Sequence, residues 1–439
     1  DVYKRQFFRL SFESKKTMLL NNFIGMLNFL LTHVFNGLLY VISLIPQYLM
    51  HSLKIFEKNI PYLLPFLLMF YRGLADFTVL FIGILFIYRS YKNSDWLWVK
   101  EPWFKMSLFF VFYLLSVNVF ISIDSKDSFF YAITFIRWPI FAAALAYWLF
   151  KQENSIKKFL LGVLIVVAFF VFDVWYQFFQ GEDIFGYAKY SPTRLTGPLR
   201  HNPVVGIFIT KYLYILLTSV IIFNKFSNNS SKIFTALFLF FIGFVTVLIT
   251  GERMSFILFT SSILIISLAM PTQIKSKLLI IFGFFIILIA TTLMINRYFP
   301  PISERALVSS LDKILHFSNS DYGQVFRAGY LTWLGNPMLG GGLHQFNVLY
   351  PSYDSTAWAG ILHPHNHPLS LLAETGVVGL LLFYTLIFNI VKNSLAPMVN
   401  KTKWFSAALC FNLLYLCFFP FMTHFSFQHN WMNATNWLI

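Results

Sequence analysis

Charged residues are scarce in this chain of 439 residues: Asp, Glu, Lys and Arg make up 12% of it, against 57% hydrophobic and 20% aromatic residues. So little charge cannot cover the surface of a soluble protein of this size, which excludes an ordinary water-soluble fold. Apolar stretches of about 20 residues, enough to cross a bilayer, recur along the chain. The composition therefore predicts a polytopic membrane protein.

Cysteine is also rare, and the sequence does not begin with methionine. Cys410 and Cys417 lie seven residues apart on one predicted helix, a separation of roughly 10 Å, which excludes a disulfide between them. We interpret both as packing residues. Residues 1–6 carry no apolar period, so we treat them as foreign to the fold.

The expected fold is all-α, because each long apolar run must satisfy its own backbone hydrogen bonds in lipid, whereas barrel strands are short and alternating. We predict about twelve transmembrane helices, the last truncated, and a large helical outer loop. The predicted spans are 19–45, 62–88, 103–123, 129–150, 159–179, 204–223, 233–250, 255–270, 278–295, 369–390 and 404–423, with a last one starting near Trp431. Residues 1–18 would precede helices 1–9 in 19–295, the loop subdomain would occupy 296–368, and helices 10–12 would lie in 369–439.

Basic residues in the short loops predict the orientation of these helices, since cytoplasmic loops carry the excess of Lys and Arg. With a cytoplasmic N-terminus, every inside loop contributes, as Lys157 and Lys158 illustrate. The outside short loops would hold Lys54, Lys58, Lys126, Lys189, Arg194, Arg200 and Arg253. The net charge of +15 is then explained by loop lysines facing anionic lipid, and nucleic-acid binding is not indicated.

Arginines on the outer side are the informative exceptions to this bias. Glu252 and Arg253 fall in a turn so short that Arg253 must lie at the membrane face. Its planar fork could bind a phosphate or diphosphate at headgroup depth. Alternatively, it is an interfacial anchor or a partner for Glu252. Arg194 and Arg200 lie in a second outer loop, within RLTGPLRHNP, among Gly and Pro turn signals.

The loop 296–368 is too long to be a plain connection, and its aromatic residues predict a small helical subdomain. It carries Arg327 on a predicted helix, followed by WLGNPMLGGGLHQF. The glycines there permit a tight turn or the close approach of a substrate.

His363, His365 and His367 stand immediately before an apolar run. They could form a zinc or copper site, although no cysteine or clustered carboxylate lies nearby in sequence. They could pack and hydrogen-bond at the interface, or one could be a general base that takes a proton from an attacking hydroxyl. Glu374 falls inside the following span, where an ionisable residue needs a partner or a cavity.

The histidine segment resembles a known family. His365-Asn366, nine residues and then Gly376-Val377-Val378-Gly379 is similar to the His-[Asn/Ser/Gln]-x9-Gly-x2-[Gly/Thr/Tyr] signature of bacterial O-antigen ligases. NPMLGGGLHQF resembles the Pro-x2-Gly-x-Gly segment of the wider ligase and polymerase superfamily, and RLTGPLRHNP its Gly-x-x-x-Asn-Pro loop. Arg253 and Arg327 fall where the family carries two arginines.

The resemblance implies a metal-independent glycosyltransferase without cofactor, of GT-C-like architecture, in the inner membrane of Gram-negative bacteria. Such ligases transfer a polysaccharide from undecaprenyl diphosphate to a sugar hydroxyl of lipid A–core at the periplasmic face, with inversion. His365, Arg253 and Arg327 would be catalytic. Arg194, Arg200, Asn366 and Glu374 would bind substrate. The partners implied are this donor, this acceptor and membrane lipid.

Two alternatives belong to the same superfamily: an O-antigen polymerase, which uses another lipid-linked repeat as acceptor, and a protein O-oligosaccharyltransferase. A more remote alternative is a transporter of lipid-linked sugars, which would predict internal repeats and broken helices in matching halves. The sequence shows no such repeats. A non-catalytic structural protein would not need the outer arginines.

Overall fold

The computed structural model describes residues 47–222, 229–271, 273–305, 309–358, 360–395, 404–422 and 426–439. The regular structure within these ranges is helical, with no β-strand. This confirms the all-α class, which follows from the need of each apolar segment to pair its own backbone groups. The segment 1–18 and the predicted span at 19–45 lie outside the described residues.

The helices are numbered here in chain order. They are α1 Gln47–Met69, α2 Arg72–Lys92, α3 Pro102–Ile121, α4 Ser125–Leu149, α5 Glu153–Gln180, α6 Val205–Ile222, α7 Asn229–Ile249, α8 Arg253–Ala269, α9 Ile274–Tyr298, α10 Ser309–Leu315, α11 Asp321–Gly335, α12 Phe346–Tyr353, α13 His367–Leu395, α14 Trp404–Phe418 and α15 Asn430–Asn436. Among the described residues, six helices are long and apolar enough to cross a membrane, namely α2, α3, α4, α5, α9 and α13. Helices α6, α7, α8 and α14 contain shorter apolar stretches. The chain is a multi-pass membrane protein.

One predicted span is wrong. The apolar run read as a single helix over 62–88 is divided between α1 and α2, and Tyr71 between them has an extended backbone with φ −148° and ψ 134°. The sequence predicts one helix there because Arg72 and Asp76 are the only charged residues between positions 62 and 88. Helices α3 to α9, α13 and α14 fall on predicted spans, with ends differing by several residues, and α10, α11 and α12 lie within the predicted loop 296–368.

The division changes the predicted side of Lys58. Helix α1 runs parallel to α5, since the Lys158 Nζ donates to the Lys58 carbonyl at 2.7 Å while Phe70 meets Phe169 at a ring distance of 6.5 Å. A Cβ at Gly162 would lie 2.1 Å from the Tyr62 carbonyl oxygen, so glycine permits this close approach. Lys58 therefore lies at the same end of the bundle as Lys158, and the prediction that places these two lysines on opposite sides of the membrane is wrong.

The loops that carry the candidate site residues meet at the opposite end, which we call the site end. The residues that line one cavity there come from the loop after α5, the α7–α8 turn, the segment 305–322, the histidine loop before α13 and the residues after α14. The segment between α9 and α13 contains α10, α11 and α12. Distant parts of the chain thus build one surface.

Helix α13 is broken near its start, and the break is filled by the glycine-rich segment before α12. Gly376 has φ 66° and ψ −172°, a conformation open almost exclusively to glycine. The amides freed by the break, those of Val377 and Val378, donate to the carbonyls of Pro337 at 2.9 Å and Met338 at 3.2 Å. In return, the Gly341 and Gly342 amides donate to the carbonyls of Ala373 at 2.9 Å and Glu374 at 3.0 Å. The two glycine motifs therefore pair with each other.

Candidate active site

The loop after α5 is folded back against the helix end. The Gln177 side-chain oxygen accepts two backbone N–H groups of this loop, at 2.9 and 3.0 Å. The Leu195 amide then donates to the Thr250 carbonyl at 3.1 Å. These bonds fix Arg194 beside the turn that carries Arg253.

Glu252 has a structural role in that turn. Its buried carboxylate accepts the amides of Gly206 at 2.6 Å and Ile207 at 3.2 Å, and the Ser255 hydroxyl at 2.7 Å. An acidic group is favourable at the amino end of α6, where backbone N–H groups lack helical partners. Because Glu252 is held there, it is not the partner of Arg253.

Three guanidinium groups converge in a cavity of about 360 Å³ at the site end, those of Arg194, Arg253 and Arg305. They donate to neutral oxygens of the protein: Arg194 to Pro203 O at 2.8 Å, Arg253 to Arg305 O at 3.1 Å and Ser309 Oγ at 2.6 Å, and Arg305 to Gly251 O at 3.1 Å. Within the described part of the chain, none of the three forms an ion pair with a carboxylate. Glu252 lines the same cavity and interacts electrostatically with Arg194, so three guanidinium groups face one carboxyl group and an excess of positive charge remains for an anion.

Mutual repulsion supports this interpretation. Burial and the neighbouring charges of Arg253 and Arg194 lower the pKa of Arg305, although a guanidinium stays charged at any physiological pH. Bringing three such groups together costs free energy that a bound polyanion would recover. Lys313 also lines the cavity but pairs with Asp321 at 3.0 Å.

Arg305 was missed by sequence reasoning. It lies only a few residues beyond α9, on the side where Arg253 and Arg327 had been singled out. The same scarcity of basic residues on that side could have identified it.

Arg327 is placed differently from the expectation. Its Nε and Nη2 donate to the two carboxylate oxygens of Asp354 at 2.9 and 3.2 Å, and Nη2 also donates to Thr356. Burial of the Asp354 carboxyl opposes ionisation, but hydrogen bonds from Thr356 and Arg327 outweigh it and lower its pKa. Arg327 is therefore neutralised within α11 and its neighbouring loop, and it does not line the cavity that holds Arg253.

The three histidines have three different surroundings. His365 lines the arginine cavity, and its ring lies 4.1 Å from that of His363. His365 has a left-handed backbone with φ 50°, which turns the chain so that His367 enters the bundle. There His367 packs against Phe383, at a ring distance of 5.2 Å. His367 is thus a packing residue, while His365 faces the cavity.

Burial keeps His365 and His363 in the neutral form. It lowers the pKa of His365 below the ordinary value. Burial, together with His365 and His429, lowers the pKa of His363 to about 3. A neutral imidazole can accept a proton at pH 7, so His365 suits a general base. Among the described residues, no group of three or more His, Cys, Asp or Glu is arranged to hold a metal ion.

Asn366 holds the histidine loop in place. Its Oδ1 accepts the Leu369 amide at 2.9 Å and so caps α13, and its Nδ2 donates to the Pro420 carbonyl at 2.7 Å. Glu374 is 3% exposed, and its carboxylate accepts a hydrogen bond from Gln428. Neither residue lines the arginine cavity.

Arg200 lies on the exposed surface of the loop after α5, outside the lining of this cavity. Its guanidinium carbon is 5.8 Å from the centroid of the Tyr71 ring and 5.7 Å from that of Tyr187. Of the seven residues predicted for the site, the structure thus brings Arg194, Arg253 and His365 together in the cavity.

Fold and site together define a multi-pass helical membrane protein with a basic cavity beside a neutral histidine. Residues 238–384, about a third of the chain, match the family model described as O-antigen ligase. The match supports the resemblance of this part of the chain to the O-antigen ligase family. No curated protein and no solved structure matches the chain.

Proposed function

We propose that this protein is an O-antigen ligase. It transfers a polysaccharide from undecaprenyl diphosphate to a sugar hydroxyl of lipid A–core, at the periplasmic face of the bacterial inner membrane. The observation that carries the proposal is the joining of three unpaired guanidinium groups and a neutral histidine in one cavity. The guanidinium groups can bind a diphosphate, and the neutral histidine can accept the proton of an acceptor hydroxyl.

The chemistry is a single displacement at the anomeric carbon. The acceptor oxygen attacks from the face opposite the diphosphate, His365 takes the hydroxyl proton, and the bond between the anomeric carbon and the diphosphate oxygen breaks. The bonding electrons leave with the diphosphate. Arg194, Arg253 and Arg305 stabilise that developing charge, as fixed donors do in other transfer reactions. The anomeric centre is therefore inverted, and the step requires no metal.

Four predicted residues take supporting roles in this proposal. Asn366 positions His365 by holding its loop to the helix start and to the chain after α14. Glu374 and Arg327 stabilise the site end through Gln428 and Asp354. Arg200, exposed on the loop after α5, meets the substrate as it approaches the site end.

Charge-preserving substitutions test which arginines bind the diphosphate. We expect Arg253→Lys and Arg305→Lys each to weaken donor binding by about 10–100-fold, since each loses one or two charge-assisted hydrogen bonds that an ammonium cannot replace. Arg327→Lys should have a smaller effect on donor affinity. Binding of an undecaprenyl-diphosphate glycan to the purified protein measures this.

Arg297→Lys is the matched control for those variants, because Arg297 is exposed in the last turn of α9. It should bind donor like the wild type. Near-normal donor affinity in both cavity variants would leave Arg253 and Arg305 as interfacial anchors and remove the diphosphate site from this cavity.

The proposed orientation is open to a labelling test. In a chain with Cys410 and Cys417 replaced by Ala, a cysteine at the exposed position of Ser318 should react with an impermeant maleimide in intact spheroplasts. A cysteine at Ser276, exposed at the start of α9, should react only after permeabilisation. The reverse pattern would place the arginine cavity in the cytoplasm.

Complementation separates the ligase from its closest alternative. In a ligase-deficient strain, the protein should restore polymer on lipid A–core. A polymerase would instead lengthen the glycan that remains on the lipid carrier.

A further inference from the structure

A second polar group of side chains lies at the site end, outside the arginine cavity. The Nδ1 of His344 lies 2.7 Å from the Oδ2 of Asp127. The His344 ring stacks on Tyr131 with centroids 3.9 Å apart. The His344 and Asp127 side chains remain 43% and 38% exposed, so a ligand can reach both.

The surrounding chain holds this pair rigidly. Gln345 Oε1 accepts the Asp124 amide at 3.0 Å, and the Leu343 carbonyl accepts the Ser128 hydroxyl at 2.6 Å. His344 itself has φ 63°, a left-handed conformation that is strained for most non-glycine residues. Such strain persists where the surrounding structure over-determines it, which preorganises the imidazole and carboxylate.

Glu374 connects this pair to the catalytic loop. The backbone N–H of His344 faces the Glu374 carboxyl group, whose other contact is Gln428. His429, the next residue, is electrostatically coupled to His363, which touches His365. The His344 pair is thus connected to the histidine loop, and neither His344 nor Asp127 lines the arginine cavity.

The chemistry of this second group does not suit a diphosphate. Asp127 would repel phosphate oxygens, and of the two arginines that act electrostatically on Tyr131, Arg72 and Arg137, the second is paired with Asp76 at 3.4 Å. A carboxylate accepts hydrogen bonds from hydroxyls, an imidazole donates or accepts one, and an aromatic edge packs against a sugar ring. This combination recognises an uncharged, hydroxyl-rich ligand.

We propose that Asp127, His344 and Tyr131 form the subsite for the acceptor glycan, which approaches His365 from the side opposite the donor diphosphate. The inference rests on the proposed transferase function. An inverting displacement brings the acceptor hydroxyl and the diphosphate to opposite faces of the anomeric carbon, so the two groups need separate subsites.

Steady-state transfer with purified protein, an undecaprenyl-diphosphate glycan and purified lipid A–core tests the subsite. We expect His344→Asn and Asp127→Asn each to raise the acceptor KM by about tenfold, the loss of one or two hydrogen bonds. The donor affinity and the kcat at saturating acceptor should stay near the wild-type values. Asparagine at position 344 tolerates the left-handed backbone, so the fold is kept.

His316→Asn is the matched control, because His316 pairs with Asp312 at 3.0 Å with both side chains more than 60% exposed. It should leave the acceptor KM unchanged. A wild-type acceptor KM in both test variants, or a kcat that falls at constant KM, overturns the subsite while the transferase proposal stands. If the wild-type protein moves no glycan to any acceptor, the proposed function itself fails, and the subsite fails with it.

Discussion

His365→Ala is expected to reduce glycan transfer by about 10²–10⁴-fold, the usual cost of removing a general base. Donor binding should remain, because the three guanidinium groups lie on other segments of the chain. Single-turnover transfer in detergent measures the rate. His365→Asn should give the same loss, and since asparagine tolerates the left-handed backbone, it separates lost chemistry from lost loop geometry.

The pH profile of the wild type gives an independent check. Burial lowers the pKa of His365, so the imidazole stays unprotonated to a more acidic pH than an exposed histidine, whose pKa is about 6.5. The midpoint of the acidic limb of the kcat/KM profile should therefore lie at a pH below the pKa of an exposed histidine.

A chelator should not inhibit transfer. Transfer by His365→Ala at the wild-type rate would remove the base from the mechanism, and inhibition by a chelator with rescue by zinc would favour a metal site.

Gly376→Ala is expected to destabilise the protein by about 4 kcal/mol or more, since it combines backbone strain with a clash against main chain. An added Cβ would lie 2.3 Å from the Met338 carbonyl oxygen, at a φ of 66°. Because that atom belongs to the backbone, the paired segments must separate to admit it. We expect a lower unfolding midpoint in detergent and loss of transfer.

Gly283→Ala is the matched control in the same experiment. Gly283 lies within α9, and an added Cβ would meet nothing within 4 Å, so alanine should be neutral or slightly stabilising there. An unchanged unfolding midpoint for Gly376→Ala would mean that the break in α13 is not needed for the fold.

Much of the site follows from the sequence because its signals are local. Arg253 is fixed by a short turn between two apolar helices, and His365 by the start of α13. Both positions can be inferred without knowing how the helices pack. The break between α1 and α2 does not follow from the sequence, because Arg72 and Asp76 are the only charged residues in a long apolar stretch.

The partners of the arginines could not be inferred in the same way. Asp354 neutralises Arg327 from 27 residues further along the chain, across a helix and a loop. Nothing in the spacing distinguishes it from an acid that faces solvent. Arg305 enters the cavity only because the segment after α9 folds back to the Gly251 carbonyl. Long-range folding of the outer loop decided which arginines stayed unpaired.

The anchoring of the final segment has a consequence for synthesis of the protein. Trp431 donates to the Leu68 carbonyl at 2.8 Å, Lys211 donates to Asn436 at 2.6 Å, and Gln428 reaches Glu374. Chains fold from the N-terminus as they emerge, so the early helices insert into the membrane before the residues that complete the site end are synthesised. The histidine loop receives its last supports only after residue 428 has been made. A partly synthesised chain would therefore lack an ordered base, and it would not cleave the lipid-linked donor to water.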